Sequence, residues 1–303
     1  MSLVTELRLG RLTVRGASLG GLYTALHVPE LDLLLDAGLP LRGGATARRL
    51  LLTHAHLDHL GALPALLGMR GMMGGGDKPL EVLCPRGVEG GLRESLRHLS
   101  ALHAWPLDVT ARPLDAGDEV ELRPGLWLRA LPAYHPVPTL GYLVFERVEK
   151  LKPHLRGLPA EEIKALKRAA SAEGGAEGGA EGRAESPFDV EERPLLAYLT
   201  DTLPEALKRS PAAMRARVLI LECTFLNDVK PVRVARAGCH IHLDELEPLA
   251  PLIEAEAVVL MHFSQIHKPS EVRALCEARL RPHLGARLHL LLPPPEQGDR
   301  WWL

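Results

Sequence analysis

Aromatic side chains are scarce: Phe, Trp and Tyr number four each in 303 residues. A surface built on many stacking platforms for bases is therefore excluded. Positive charge is not in excess either, with 36 Lys and Arg against 38 Asp and Glu. That rules out a uniformly basic nucleic-acid coat, while a local basic patch stays open. The four cysteines, Cys84, Cys223, Cys239 and Cys276, show no C-x-x-C spacing. This argues against a disulfide framework or a cysteine zinc site and fits a reducing cytosol. No apolar run approaches the roughly 20 residues of a membrane span. The N-terminal stretch MSLVTELRLGRLTVRG alternates apolar and polar residues and does not read as a signal peptide. The expected setting is cytoplasmic, with no membrane partner.

What the chain has in quantity is apolar content, 46%, and histidine, 14 residues. At about 150 residues per domain its length allows one or two domains, enough for a single large core. Period-two alternation predicts strands over Leu7 to Val14 and Leu22 to Val28. Short apolar runs predict strands at Leu31 to Leu35 and Arg49 to Thr53. A helix is expected after residue 59, from Leu60, Leu63, Leu66 and Leu67. Further strands are expected at Leu80 to Cys84, Glu119 to Arg123, Leu126 to Leu131 and Gly141 to Glu146, with a helix over about Val88 to His103. Strands at Leu195 to Thr200, Val218 to Glu222, Val258 to Met261 and Arg287 to Leu291 then alternate with helices starting at Pro204, Asp244 and Pro269. This order predicts sheets covered by helices. Residues 171–187 read SAEGGAEGGAEGRAESP, with no large apolar side chain to offset ordering entropy. The stretch is expected to be a disordered surface loop inside one domain spanning 1–303, because strand-like sequence resumes beyond it.

The sharpest feature is Thr53-His54-Ala-His56-Leu-Asp58-His59, where a buried strand runs into a helix. Alternation lets the His54 and His56 rings point the same way. Imidazoles with a carboxylate suit zinc, with manganese or iron as competitors. A strand terminus is also where open α/β folds place their chemistry.

This segment, with Asp36 upstream, resembles the metallo-β-lactamase superfamily, and the wider pattern resembles its ribonuclease Z (tRNase Z) branch. Leu51-Leu-Thr-His-Ala-His-Leu-Asp-His-Leu-Gly-Ala-Leu-Pro64 is similar to the family motif. Cys84-Pro-Arg-Gly87, His135 with Gly141-Tyr142 and Glu146, Thr200-Asp201-Thr202, Leu221-Glu222-Cys-Thr-Phe225 and Leu260-Met-His262-Phe-Ser264 follow in family order. The resemblance implies an αββα sandwich of two mixed sheets flanked by helices, with two metal ions, zinc by preference, between the sheets. It implies that His54, His56 and His135 hold one ion, that Asp58, His59 and His262 hold the other, and that Asp201 bridges them. It also implies that Glu222 and His240 assist the leaving group while Asp58 takes a proton from the attacking water. The implied activity is phosphodiester hydrolysis, specifically removal of 3′ trailers from precursor tRNA, by a homodimer.

The match departs from the family at several points. His-Ser-Thr reads His240-Ile-His242, so a second imidazole replaces a small hydroxyl, a change that bears on which phosphate or leaving group is held. Leu221 stands before Glu222, and Ile266-His267 replaces Arg-Tyr. The interval that should carry a long basic tRNA-gripping arm holds Leu158 to Lys167 and the acidic Ala-Glu-Gly-Gly tract instead. Since phosphate contacts dominate nucleic-acid affinity, two other readings stand beside tRNA processing. One is a hydrolase of a small phosphodiester, cyclic nucleotide or other ester. The other is a non-catalytic metal-binding scaffold. Trp301-Trp302 fits either a partner contact or a cap on the chain's own core.

Overall fold

Two β-sheets, each with antiparallel strands on one side and parallel strands on the other, face one another across the core. The structure is a computed structural model, and it describes residues 4–73, 79–155, 157–173, 187–294 and 298–301. The first sheet runs β1 (Thr5–Leu9), β2 (Leu12–Leu19), β3 (Tyr23–Val28), β4 (Leu33–Leu35), β5 (Arg49–Leu51), β6 (Leu80–Pro85) and β7 (Val109–Leu114). Strands β1 to β4 pair antiparallel and β4 to β7 parallel. Crossovers among the parallel strands carry α1 (Leu57–Leu60), α2 (Leu63–Met72) and α3 (Glu89–His103).

The second sheet repeats the plan. Strands β8 (Glu119–Arg123), β9 (Leu126–Pro132), β10 (Leu140–Leu151) and β11 (Phe188–Leu199) are antiparallel. Strands β12 (Val218–Glu222), β13 (Ala257–Met261) and β14 (Leu288–Leu290) continue in parallel. Its helices are α4 (Ala160–Glu173), α5 (Glu205–Arg209), α6 (Pro211–Met214), α7 (Val232–Ala237), α8 (Leu243–Leu246) and α9 (Pro269–Leu284). The αββα expectation therefore holds.

Alternation decides which side chains meet. On β4, Leu33 and Leu35 face the core between the sheets, while Leu34 joins Leu50, Leu52, Leu63 and Leu66 beneath α2. Both faces of this strand are covered, as parallel strands require. Two tyrosines opposite each other in register, Tyr142 and Tyr198, reach from the second sheet to the first. The Tyr142 hydroxyl donates to the carbonyls of Leu52 (2.6 Å) and Leu83 (3.1 Å). The Tyr198 hydroxyl donates to the Asp36 carboxylate at 2.6 Å. These bonds join the sheets beside the ends of β4, β5 and β6, where the chemistry lies.

Several boundaries differ from expectation. Leu7 to Val14 is not one strand but the halves of a hairpin, turned at Gly10 with φ +60°. Alternation persists across a tight turn, so the pattern hides it. Strand β7 and helices α4 and α7 had not been anticipated. Strands β10 and β11 run on as a ribbon to the Leu151–Phe188 pair. Residues 171–173 continue α4, whereas 174–186, the bulk of the expected disordered loop, lie outside the described residues. Trp301 is buried in the chain's own core, its indole donating to the His267 carbonyl at 2.8 Å.

Candidate metal centre

Residues at the C-terminal ends of parallel strands from both sheets converge in one cleft. Three of them, Asp36, Asp201 and His262, take left-handed backbone conformations with φ +56°, +47° and +58°. Such conformations cost energy for side chains with a Cβ and cluster at functional sites. Each turns the chain at the end of β4, β11 or β13. Close backbone approach also shapes the rim: a Cβ on Gly38 would lie 1.8 Å from the Asp58 carbonyl oxygen. The Asp58 side chain accepts from the Gly21 amide at 3.0 Å, tying the β2–β3 hairpin tip to the site.

The predicted donors come together in the predicted groups. His54, His56, His135 and Asp201 offer atoms within 4.8 Å of one another, and so do Asp58, His59 and His262. His54 Nε2 lies 3.1 Å from His56 Nδ1, which is 3.3 Å from His135 Nε2. His59 Nε2 lies 3.3 Å from His262 Nε2, and each is 3.3 Å from Asp201 Oδ1. Asp58 Oδ2 is 3.6 Å from His59 Nε2 and 3.7 Å from His262 Nε2. Bonds of about 2.1 Å to a tetrahedral ion imply about 3.4 Å between donors. The spacings match edges of such polyhedra.

Proton bookkeeping strengthens the fit. Asp36 accepts from the Thr53 amide (2.7 Å) and from His59 Nδ1 (2.8 Å). Thr53 Oγ1 gives its proton to Asp36, so it accepts from His54 Nδ1 at 3.1 Å. With their protons on Nδ1, His54 and His59 present bare Nε2 lone pairs to the same buried space. Lone pairs that converge without a proton between them repel unless a cation joins them. The donor chemistry and the geometry therefore fit a pair of divalent ions. Without cations, burial disfavours charge on His59, but Asp201 and Asp36 outweigh it and lift the imidazole well above its ordinary range. Burial, with the charge on His59 next, drives His54 down to about 2. Burial opposes charge on Asp201 too, yet His262 and His59 hold it well below the usual carboxylate range.

Glu222, at the end of β12, is fully buried. It accepts from the amides of Thr202 (2.7 Å) and Ile241 (3.2 Å) and from Thr224 Oγ1 (2.5 Å). His240 Nδ1 stands 3.3 Å from Glu222 Oε1, with the ring stacked 5.5 Å from His262. A third grouping within 4.8 Å, Asp201, His240 and His262, shows how near His240 comes to the ligand set. Asp201 does not cap α5, whose first turn lacks a side-chain cap.

The structure gives His242, whose role the sequence left open, a local structural place. It does not enter the cleft, because it caps α8: its Nδ1 accepts from the Asp244 amide at 3.0 Å, and its Nε2 faces the Asn227 carbonyl at 3.3 Å. Glu146 also lies away from the site, paired with Arg11 at 3.0 Å. Sequence reasoning missed the roles of Asp36, Thr53, Thr224 and Tyr198. The available signals were Thr53 beside His54, and Glu222 and Thr224 two apart on extended chain.

A family model described as the Beta-lactamase superfamily domain matches residues 33–151. The chain is 37% identical over 158 residues to the nuclear ribonuclease Z of Triticum aestivum, spanning 51% of this chain and 86% of that protein. The chain belongs to the ribonuclease Z family. The chloroplastic tRNase Z TRZ2 of Arabidopsis thaliana is 29% identical over 292 residues, covering 95% of this chain and 76% of its own length. Among solved structures, the short form of human tRNase Z (ELAC1) superposes with a TM-score of 0.55 at 19% identity, over 87% of this chain and 93% of that one. YhfI of Bacillus subtilis, a metallo-β-lactamase fold protein, gives 0.58 at 14% identity, over 90% and 93%. These structural likenesses establish the metallo-β-lactamase fold. Family membership makes the chain a metal-dependent hydrolase.

Proposed function

We propose that this ribonuclease Z family member is a binuclear zinc endoribonuclease that removes 3′ trailers from precursor tRNA. The observation that carries this reading is one cleft holding seven metal-type donors beside a buried Glu222 paired with the partly exposed His240. His54, His56 and His135 would hold one ion, and Asp58, His59 and His262 the other, with Asp201 between them. A pair of such cations supplies Lewis acidity and an activated water. Asp58, whose side chain is mostly but not wholly buried, is the carboxylate that would take a proton from the attacking water. His240, oriented by Glu222, delivers a proton to the departing ribose oxygen. Glu222 serves as orienter, because its remaining contacts are amides and a hydroxyl.

A second reading, hydrolysis of a small phosphodiester, draws on the interval between β10 and β11. Helix α4 carries Glu161, Glu162 and Glu173 against Lys164, Lys167 and Arg168. Its charges cancel, so it adds no net attraction for phosphates. Homodimeric assembly belongs to the proposal through the family resemblance, and a cytoplasmic setting through the scattered cysteines. Turnover of a precursor tRNA with a 3′ trailer, a cyclic nucleotide and a chromogenic phosphodiester, measured side by side, tests it. Cleavage at the trailer junction is expected. Hydrolysis of the small substrates alone would favour the second reading. Elemental analysis should find two zinc equivalents per chain; a value of one or less, unchanged on adding metal, contradicts the binuclear site.

A further inference from the structure

We infer that Thr224 is a positioning residue that sets the tautomer of His262 and links the leaving-group pair to the second metal position. The inference rests on the two-metal reading above. Thr224 Oγ1 carries one proton and stands 2.5 Å from Glu222 Oε2, a carboxylate oxygen that can only accept. The proton goes there. His262 Nδ1, 3.1 Å from the same hydroxyl, must then donate to it. His262 is left with its lone pair on Nε2, the atom 3.3 Å from Asp201 Oδ1 and from His59 Nε2.

The first metal position shows the same device. There Asp36 takes the Thr53 proton and Thr53 accepts from His54 Nδ1. One ligand in each group is therefore oriented through a buried threonine hydroxyl backed by a carboxylate. All these side chains except the partly exposed His240 are buried, so no solvent competes for the hydroxyl. Each carboxylate also holds a second histidine: Asp36 holds the ligand His59, whereas Glu222 holds His240, outside the two ligand groups, whose Nδ1 lies 3.3 Å from Glu222 Oε1 and 3.4 Å from Thr224 Oγ1. One hydroxyl thus ties the second ligand set to the residue that faces the leaving group.

The test uses the full chain with Thr224→Val, which keeps the shape and removes the hydroxyl, and Thr224→Ser, which keeps the hydroxyl and removes a methyl. Metal-free protein is titrated with zinc against a chelating competitor. Histidine tautomers are read from long-range proton–nitrogen correlations of ¹⁵N-histidine-labelled protein. Thr224→Val should weaken the second zinc equivalent by roughly 10- to 100-fold, and His262 should lose its uniform Nδ1–H form. Thr224→Ser should retain that form and stay within about threefold of wild type, since the donor and acceptor are unchanged. Wild-type binding by Thr224→Val overturns the inference, as does a Thr224→Ser defect equal to that of Thr224→Val. So does an Nε2–H tautomer at His262 in the wild-type protein, a result that stands even if a variant fails to fold. Neither readout involves RNA. Absence of zinc binding in wild type would instead refute the two-metal reading, while the tautomer measurement would still judge the relay.

Discussion

Replacing Asp36 with Asn keeps the shape of the side chain and changes what it can accept. Four donations converge on this fully buried carboxylate: the Thr53 amide and hydroxyl, His59 Nδ1 and the Tyr198 hydroxyl. An amide offers one oxygen. If its NH₂ takes the Oδ2 position, it confronts both His59 Nδ1–H and the Tyr198 hydroxyl. If it takes the Oδ1 position, it confronts the Thr53 amide. Each buried donor stripped of its acceptor costs about 1–3 kcal/mol, so the more favourable rotamer still destabilises by about 2 kcal/mol. The same change removes the anion behind His59, and loss of such a partner lowers metal affinity by roughly 10- to 100-fold. Denaturant unfolding of metal-free protein reads the first effect and competitive zinc titration the second. An Asp36→Asn variant within about 0.5 kcal/mol of wild type, the range of an unremarkable surface change, with unaltered zinc affinity would refute the reasoning.

The remaining predictions concern pH and salt. In metal-free protein, burial pulls His240 down, but Glu222, Asp201 and Asp58 more than reverse this and lift it to about 9 from 6.5. A raised pKa stabilises the fold fully below about pH 6.5, and the contribution is lost as pH rises through about 9. The stability advantage of wild type over His240→Gln, measured by denaturant unfolding in chelator, should shrink across that window by on the order of 3 kcal/mol; an advantage independent of pH contradicts the assignment. Precursor tRNA should show a high KM that rises steeply between about 50 and 200 mM salt, while aryl phosphodiester hydrolysis should change little. Tight tRNA binding at physiological salt would show that residues 150–187 supply a phosphate grip after all.

Four of the seven donors were legible from one short motif at a strand end, whereas His135, Asp201 and His262 stood out only through the ordered resemblance to the family. His54, His56, Asp58 and His59 fall within six residues. What orients them was not legible. Asp36 meets His59 and Tyr198 only after β4, β5 and β11 are brought together, across separations of 23 and 162 residues. The role of His242 was not legible because its direction depends on where α8 begins: as the cap of that helix it turns its ring to the Asp244 amide. Strand β7 escaped notice because Arg112 and Pro113 interrupt its apolar character. At the edge of a sheet a proline costs no ladder bond.

The central claim is that one cleft combines a two-metal site with a separate leaving-group pair, and turnover of His240→Ala on two substrates tests it most directly. An aryl alcohol departs without help, whereas a ribose alkoxide is strongly basic. His240→Ala should therefore keep both zinc ions and lose little on a bis-aryl phosphodiester. On RNA it should lose roughly 10²- to 10⁴-fold in kcat, the usual scale of general acid catalysis. Asp58→Ala should lose the second ion and slow both substrates. Loss of an ion from His240→Ala, or equal slowing of both substrates, would contradict the account and make Asp201, His240 and His262, which lie within 4.8 Å of one another, a metal-binding group instead.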